Sequence, residues 1–255
     1  MIWDSERRSK HQRMADAADL VNGKEIPTES IVPFLERVIH CGDKVALEGC
    51  NQKQAAFLAQ AMTQLNPEKI NGLNMIIPSV SRDDHLDLFS KGIAEELNFA
   101  FAGVQSLRLA QMLEAGQLRI GDIHTYLELY GRMYVDLTPK ICLIAADKAD
   151  RHGNLYTGYN TEETPMITEA AAFQNGIVIA QVNSIVEDGE LPRVDIPGDW
   201  VDYYVKAAEP YPMEPLFTRD PAKIQDAHVL MGMMTIRGIY AKHGVRSLNH
   251  GIGYN

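Results

Sequence analysis

Short runs of apolar residues alternate along the chain with longer segments in which apolar residues recur at helical spacing. Apolar runs of about four to eight residues are typical of buried strands, whereas apolar positions roughly three and four residues apart predict amphipathic helices. The predicted strands are residues 44–48, 73–77, 97–101, 141–145 and 177–182. The predicted helices are residues 12–21, 29–40, 52–65, 85–97, 106–116, 164–175 and 221–243. This alternation predicts an α/β fold with an open, mostly parallel sheet flanked by helices.

The last predicted helix ends before Gly244, and the pattern changes there. Residues 245–255, VRSLNHGIGYN, have the pattern of a strand that runs into a glycine turn. In α/β folds, a strand and turn of this kind normally lead into a helix. We therefore expect residues 1–243 to form one α/β domain and residues 244–255 to begin a second half that this sequence does not contain.

Composition and charge narrow the class of protein. Hydrophobic residues make up 45% of the chain and charged residues 23%, which is ordinary for a globular domain. The net charge of −10 disfavours a nucleic-acid partner, because phosphate binding needs a basic face. A basic run near the N-terminus is expected to be a solvated helix face, with docking of an acidic protein as the alternative: Arg7, Arg8, Lys10 and Arg13.

The cysteines and the longest apolar runs bear on cofactors and location. Cys41, Cys50 and Cys142 lack the spacing of a zinc site or a disulfide framework. No apolar run approaches the roughly 20 residues of a membrane helix, and the N-terminus is too polar for a signal peptide. We expect a cytoplasmic protein with no metal, no bound cofactor and no membrane contact.

Two loops that follow predicted strands carry residues suited to ligand binding. In parallel sheets, ligands bind beyond the carboxyl ends of the strands, where loops offer backbone N–H groups. Glycine lets the backbone approach a ligand, and amide groups donate hydrogen bonds to a carboxylate or to a tetrahedral oxyanion. Ordinary turns with an N-capping Asn51 or Ser106 are the alternative explanation. The candidate residues are Gly49, Cys50, Asn51, Gln52, Gly103 and Gln105.

Several stretches resemble the class I coenzyme A-transferases. Residues 145–158, AADKADRHGNLYTG, resemble the D-x-x-G-N segment of that family, with Asp150 and Asn154 at its first and last positions. Residues 176–205 and 249–255 resemble a later stretch of the family and the opening of its second half. The resemblance covers nearly the whole chain and implies the α/β fold of the CoA-transferase type.

The resemblance also implies roles for individual residues. The Gly49–Gln52 loop stands where the family has its glycine-rich oxyanion loop, so Gly49 and Asn51 are the expected oxyanion donors. The remaining candidates would bind substrate, and Arg151 is a candidate for the second carboxylate of a dicarboxylic acid. They are Cys50, Gln52, Gly103, Gln105, Arg151, Asn154, Gly251 and Gly253.

Within that family, the stretches LEGCNQKQAAFLAQA, HTYLELYGRMYVDLTP and EPLFTRDPAKI resemble the α subunits of bacterial malonate decarboxylases. Such a subunit exchanges acetate for malonate on the thioester of an acyl carrier protein. The resemblance implies malonate and an acetyl thioester as substrates, the CoA-like thioester group of the carrier protein as part of the substrate, and the other decarboxylase subunits as partners. A homo-oligomer is a further expectation.

The family pattern differs from this sequence in two ways. Many CoA-transferases use a glutamate nucleophile in their second half, and this sequence ends before any such position. Their Gly-Gly-Phe oxyanion loop is replaced here by Gly49-Cys50-Asn51. Both differences favour direct attack of the acceptor carboxylate on the thioester over a covalent glutamyl intermediate. Two alternatives stay open: a CoA-transferase for another small carboxylate, and a non-catalytic ligand-sensing α/β domain.

Overall fold

A nine-stranded sheet forms the centre of this computed structural model, which describes residues 2–50, 52–213 and 224–248. Within those residues the strands are β1 (Glu25–Ile26), β2 (Lys44–Leu47), β3 (Leu73–Ile76), β4 (Ala94–Phe99), β5 (Arg119–Ile123), β6 (Ile141–Ala149), β7 (Leu155–Tyr156), β8 (Ile177–Ile185) and β9 (Tyr203–Lys206). Their order across the sheet is β1-β9-β8-β6-β2-β3-β4-β5, and all these neighbours pair in parallel. The short β7 pairs with β6 in the antiparallel direction.

Helices cover both faces of the sheet. They are α1 (Ile2–Asp16), α2 (Ile31–Val38), α3 (Ala56–Met62), α4 (Asp83–Ser90), α5 (Ser106–Glu114), α6 (Tyr126–Val135) and α7 (Thr164–Ala172). A further helix, α8 (Asp226–Thr235), continues as a π-helix over Ile236–Ala241 and belongs to the part of the chain after residue 213. Side chains alternate between the faces of a strand, so Val45 and Leu47 pack with α2 to α5. Ala46, between them, packs with α6 and α7 on the opposite face.

The predicted α/β fold is confirmed in its main features. All five predicted strands are present, and they belong to one sheet in which they run parallel. The carboxyl ends of parallel strands lie at the same edge. The loops that begin at Gly49 after β2 and at Gly103 after β4 therefore share that edge, as predicted.

The helix predicted over residues 85–97 is wrong in its second half. Helix α4 ends at Ser90, and Gly92 adopts a φ of +73°. Glycine takes this left-handed conformation without a steric penalty, and it commonly ends a helix. The chain can therefore turn and enter the sheet at Ala94, so residues 94–97 form the start of β4.

The basic run of α1 is a solvated face only in part. Arg13 is buried and donates to both carboxylate oxygens of Asp43 and to Val38 O. Lys10 donates to Asp202 and to Gly176 O, each at 2.8 Å. These two side chains fasten α1 to the amino edge of the sheet through partners that are remote in sequence.

The chain divides into two compact units, residues 1–213 and residues 214–255. Residues 245–248 form no strand, and residues 249–255, with Gly251 and Gly253, lie outside the described residues. The domain boundary between 243 and 244 stays a prediction. Over the part of the chain that the structure describes, no helix is long and apolar enough to cross a membrane.

Candidate active site at the carboxyl edge of the sheet

Gly49 packs directly against the segment that follows β3. A Cβ atom at this position would come within 2.8 Å of Ile77 Cγ2 and 2.9 Å of His85 Cε1, and it would also overlap the backbone oxygen of Ser79. Real Cβ atoms do not approach other atoms so closely, so the packing of the loop against its neighbour requires glycine here. Close approach of a ligand, which we predicted from the sequence, is a separate role and stays a prediction.

The peptide groups of Gly49 are held from two sides. Its N–H donates to Glu163 Oε1 at 3.2 Å, and its carbonyl oxygen accepts from Ser81 Oγ at 2.6 Å. Ser81 N–H in turn donates to His85 Nδ1 at 3.3 Å. Burial lowers the pKa of His85 to about 3, so its imidazole is neutral and can accept this bond. The N–H of Gly49 is thus bonded to a carboxyl group in this structure, and its role as an oxyanion donor stays a prediction.

A fully buried ion pair lies beneath the loop. Lys53 Nζ donates to Glu48 Oε1 at 2.5 Å and also bonds the Thr164 hydroxyl, which itself donates to Glu48 Oε1 at 2.5 Å. The other carboxylate oxygen of Glu48 accepts from Ala145 N–H at 2.7 Å. Both charged side chains have 0% exposure. The pair therefore joins the end of β2 to β6 and to the first residue of α7.

The thiol of Cys50 is a poor nucleophile in this environment. Its Sγ lies 3.0 Å from Glu162 Oε1. Burial, helped by the nearby carboxylates, raises the pKa of the thiol to about 12. Because the thiolate is the reactive form of cysteine, a neutral thiol here favours binding or packing over covalent catalysis.

Helix α6 supplies two tyrosines beside the loop. The rings of Tyr126 and Tyr130 stack with centroids 6.2 Å apart. Tyr126 OH lies 2.8 Å from Ser79 Oγ, and Tyr130 OH lies 3.5 Å from Glu163 Oε2. Burial raises the pKa of both phenols, so both stay protonated and can donate hydrogen bonds.

The other predicted residues near this edge are placed as follows. Gln52 lies between Cys50 and α3, which begins at Ala56 and not at residue 52 as predicted. Asn51 lies outside the described residues. Gly103, with a φ of +47°, begins a short turn that contains Gln105, two strands away from Gly49 with β3 between them. Their roles in binding stay predictions.

The D-x-x-G-N segment forms a tight turn after β6. Asp150 Oδ1 accepts from the backbone N–H groups of His152 and Asn154, each at 2.9 Å. Asn154 Oδ1 accepts from Gly198 N–H at 2.8 Å, and its Nδ2 donates to Asp150. Arg151 points to the surface, where it pairs with Glu187 and is 66% exposed. Asn154 therefore has a structural role here, and the substrate-binding roles of Asn154 and Arg151 stay predictions.

Asp150→Ala is expected to lower the free energy of unfolding by about 1–3 kcal/mol, because two backbone N–H groups lose their acceptor. Asp188→Ala is the matched control, since the Asp188 side chain is 58% exposed and its carboxylate lies 3.0 Å from His152 Nε2. We expect the control to change the free energy by about 0.5 kcal/mol or less. Urea denaturation measures both variants. Equal effects of the two substitutions would contradict the structural role of the turn.

Sequence patterns alone did not single out Glu163, Glu162, Lys53 or the α6 tyrosines as parts of this site. The segment Glu162-Glu163-Thr164-Pro165 carries one usable signal, because acidic residues followed by proline are typical of a helix N-terminus. Nothing in the sequence indicates that the N-terminus of this helix contacts the Gly49 loop, which lies 114 positions earlier in the chain.

Solved coenzyme A-transferase structures share this arrangement of sheet and helices. Two of them, glutaconate coenzyme A-transferase from Acidaminococcus fermentans and an acyl-CoA transferase from Escherichia coli O157:H7, are 18% and 17% identical to this chain, with TM-scores of 0.59 and 0.61. At such identities the likeness shows the fold alone. The chain thus has a fold of the CoA-transferase type.

The family model described as "Malonate decarboxylase, alpha subunit, transporter" matches residues 2–255, and the chain belongs to that family. It is 50% identical over 254 residues to the acetyl-S-ACP:malonate ACP transferase of Malonomonas rubra, covering 99% of this chain and 46% of the relative. The chain therefore spans about half the length of this curated relative.

Two solved structures of the family superimpose closely on the chain. The malonate decarboxylase α subunit from Acinetobacter baumannii is 56% identical, with a TM-score of 0.90. A Pseudomonas malonate decarboxylase hetero-tetramer in complex with malonate is 55% identical, also with a TM-score of 0.90. In each case the match covers 99% of this chain and 46% of the solved chain.

Proposed function

We propose that this chain provides half of the active site of a transferase that exchanges acetate for malonate on the thioester of an acyl carrier protein. The observation that carries the proposal is 50% identity across 99% of the chain to a transferase of that name. The position of the Gly49 loop at the carboxyl edge of the parallel sheet supports it, because ligands bind at that edge in α/β folds.

The exchange follows from direct attack by carboxylate. A malonate carboxylate oxygen attacks the acetyl thioester carbon, and the carbonyl electrons move to the oxygen to give a tetrahedral oxyanion. Collapse of this intermediate expels the carrier thiolate and leaves an acetyl–malonyl mixed anhydride. The thiolate then attacks the malonyl carbonyl carbon through a second oxyanion, and acetate leaves. No proton is consumed, so oxyanion stabilisation and the approach of malonate are the main tasks of the protein.

The proposal extends to partners and substrates. The Pseudomonas structure is a malonate decarboxylase hetero-tetramer in complex with malonate, which supports association of this chain with other malonate decarboxylase subunits. The name of the Malonomonas relative supports an acyl carrier protein as the thioester donor. The relatives are about twice as long, so we further propose that residues outside this chain complete the site.

Transfer is expected in the native assembly and not in the isolated 255-residue chain. The assay follows acetate release and the appearance of labelled malonyl thioester from labelled malonate. Robust turnover by the isolated chain would contradict the shared site. An assembly that turns over another small carboxylate in preference to malonate would replace the proposal by a general CoA-transferase. An assembly with no exchange at all would favour a ligand-sensing role.

A further inference from the structure

Glu163 is a buried carboxyl group to which the proposed chemistry gives no role. Its Oε1 accepts from Gly49 N–H at 3.2 Å, and its Oε2 lies 3.5 Å from Tyr130 OH. Only 3% of the residue is exposed. It immediately precedes α7, so one side chain links the Gly49 loop, α6 and the start of α7.

The groups around Glu163 oppose a negative charge on it. Desolvation and the charge of Glu48 raise its pKa to about 8, against the smaller opposite effect of the Gly49 hydrogen bond. At neutral pH the carboxyl group is therefore mostly protonated. The titratable and charged groups that face it are Glu48, Lys53, Cys50, Glu162, Tyr126 and Tyr130.

The two protonation states of Glu163 differ in what they offer to a substrate. The neutral acid keeps an oxygen that accepts from Gly49 N–H, and its own hydroxyl can donate to a neighbouring oxygen. The ionised form places a second negative charge beside Glu162, at the loop that an anionic carboxylate must approach. Like charges in a poorly hydrated site repel strongly, so ionisation weakens the binding of such a substrate.

We propose that Glu163 is a positioning residue that holds the Gly49 loop as a neutral acid, so that the loop accepts a carboxylate substrate only while Glu163 is protonated. The inference rests on the proposed function, since it takes the Gly49 loop as the place where malonate reacts. Beyond the reaction itself, it requires that the affinity for the carboxylate substrate depends on one proton within the protein, the proton on Glu163.

The test compares wild type with Glu163→Gln in the native assembly. About nine-tenths of a group that titrates near pH 8 is protonated at pH 7 and about one-tenth at pH 9, so the KM for malonate in wild type should rise about 10-fold between these values. Glutamine keeps the acceptor oxygen and cannot ionise. Its KM should be close to the pH 7 value of wild type throughout, with kcat little changed.

Two further variants sharpen the comparison. Glu163→Ala removes the acceptor for Gly49 N–H and should raise KM at both pH values, which the Gln variant should not do. Glu169→Gln is the matched control on the same helix, where Glu169 bonds to Tyr134, and it should keep the pH profile of wild type. A 10-fold rise that persists in Glu163→Gln would overturn the proposal.

Two readouts separate this inference from the proposed function. Calorimetry of malonate binding without thioester should show the same pH dependence as KM, and the same loss of it in Glu163→Gln.

The thermal midpoint of unfolding is measured without substrate. Because the folded state holds a proton that the unfolded chain releases near its ordinary pKa, wild type should lose stability relative to Glu163→Gln as pH rises from 6 to 8. Absence of exchange with both pH effects present would reject only the reaction; absence of both pH effects would reject the role of Glu163.

Discussion

Lys53→Met is expected to lower the free energy of unfolding by about 3–5 kcal/mol, because it leaves a carboxylate buried without its counter-charge. Glu48 and Lys53 are both fully buried, and Lys53 is the cation that Glu48 contacts. Met is close in shape to the aliphatic stem of lysine and lacks only the terminal ammonium group, so the loss of charge dominates over the loss of volume. Urea denaturation near pH 7 measures the effect.

Lys69→Met is the matched control for this prediction. Lys69 pairs with Glu36, but its side chain is 64% exposed, and exposed ion pairs contribute about 0–1 kcal/mol. The double variant Glu48→Gln/Lys53→Met also removes the uncompensated charge of Glu48 and should regain part of the lost stability. If Lys53→Met costs no more than Lys69→Met, the buried pair does not have the structural role assigned to it.

Gly49→Ala is expected to lower the free energy of unfolding by about 1–3 kcal/mol, because a methyl group has no room against the segment after β3. The nearest obstacle, Ser79 O, belongs to the backbone and cannot rotate away as a flexible side chain can. The loop or the segment after β3 must shift instead. The free energy of unfolding from chemical denaturation measures the cost.

Gly131→Ala in α6 is the control for this substitution. A Cβ atom at Gly131 meets nothing within 4 Å, and alanine stabilises a helix interior by about 1 kcal/mol relative to glycine. The two substitutions should therefore have opposite signs. If Gly49→Ala left the free energy of unfolding unchanged, the close packing of Gly49 would be contradicted. Gly49 variants could then test the close approach of a ligand without a loss of stability.

The central strands could be predicted because each is a short, mainly apolar run that is buried on both faces. Residues 141–145 and 177–182 are of this kind, and they became parts of β6 and β8. The strand over Arg119–Ile123 could not be found in this way. It forms the edge of the sheet, most of its residues are exposed, and its pattern is therefore polar.

The candidate site was predictable only in its position. A glycine loop after a predicted strand indicates the carboxyl edge of a parallel sheet, and Gly49 lies there. Its hydrogen-bond partner could not be predicted, because Glu163 is 114 residues away and reaches the loop only after β6 and α7 have packed. The left-handed backbone conformation of Glu162, with a φ of 42°, likewise could not be predicted from the sequence pattern.

By itself, the sequence determined the α/β class, the parallel central strands, the edge at which a site forms and the resemblance to coenzyme A-transferases. Such features follow from local periodicity and from the residues in single segments. Only the tertiary structure decided that Arg13 and Lys53 are buried in ion pairs, that Gly49 is required by its neighbour, and that burial raises the pKa of Glu163. Burial and the distances between charges set these properties, and both depend on which remote segments fold against one another.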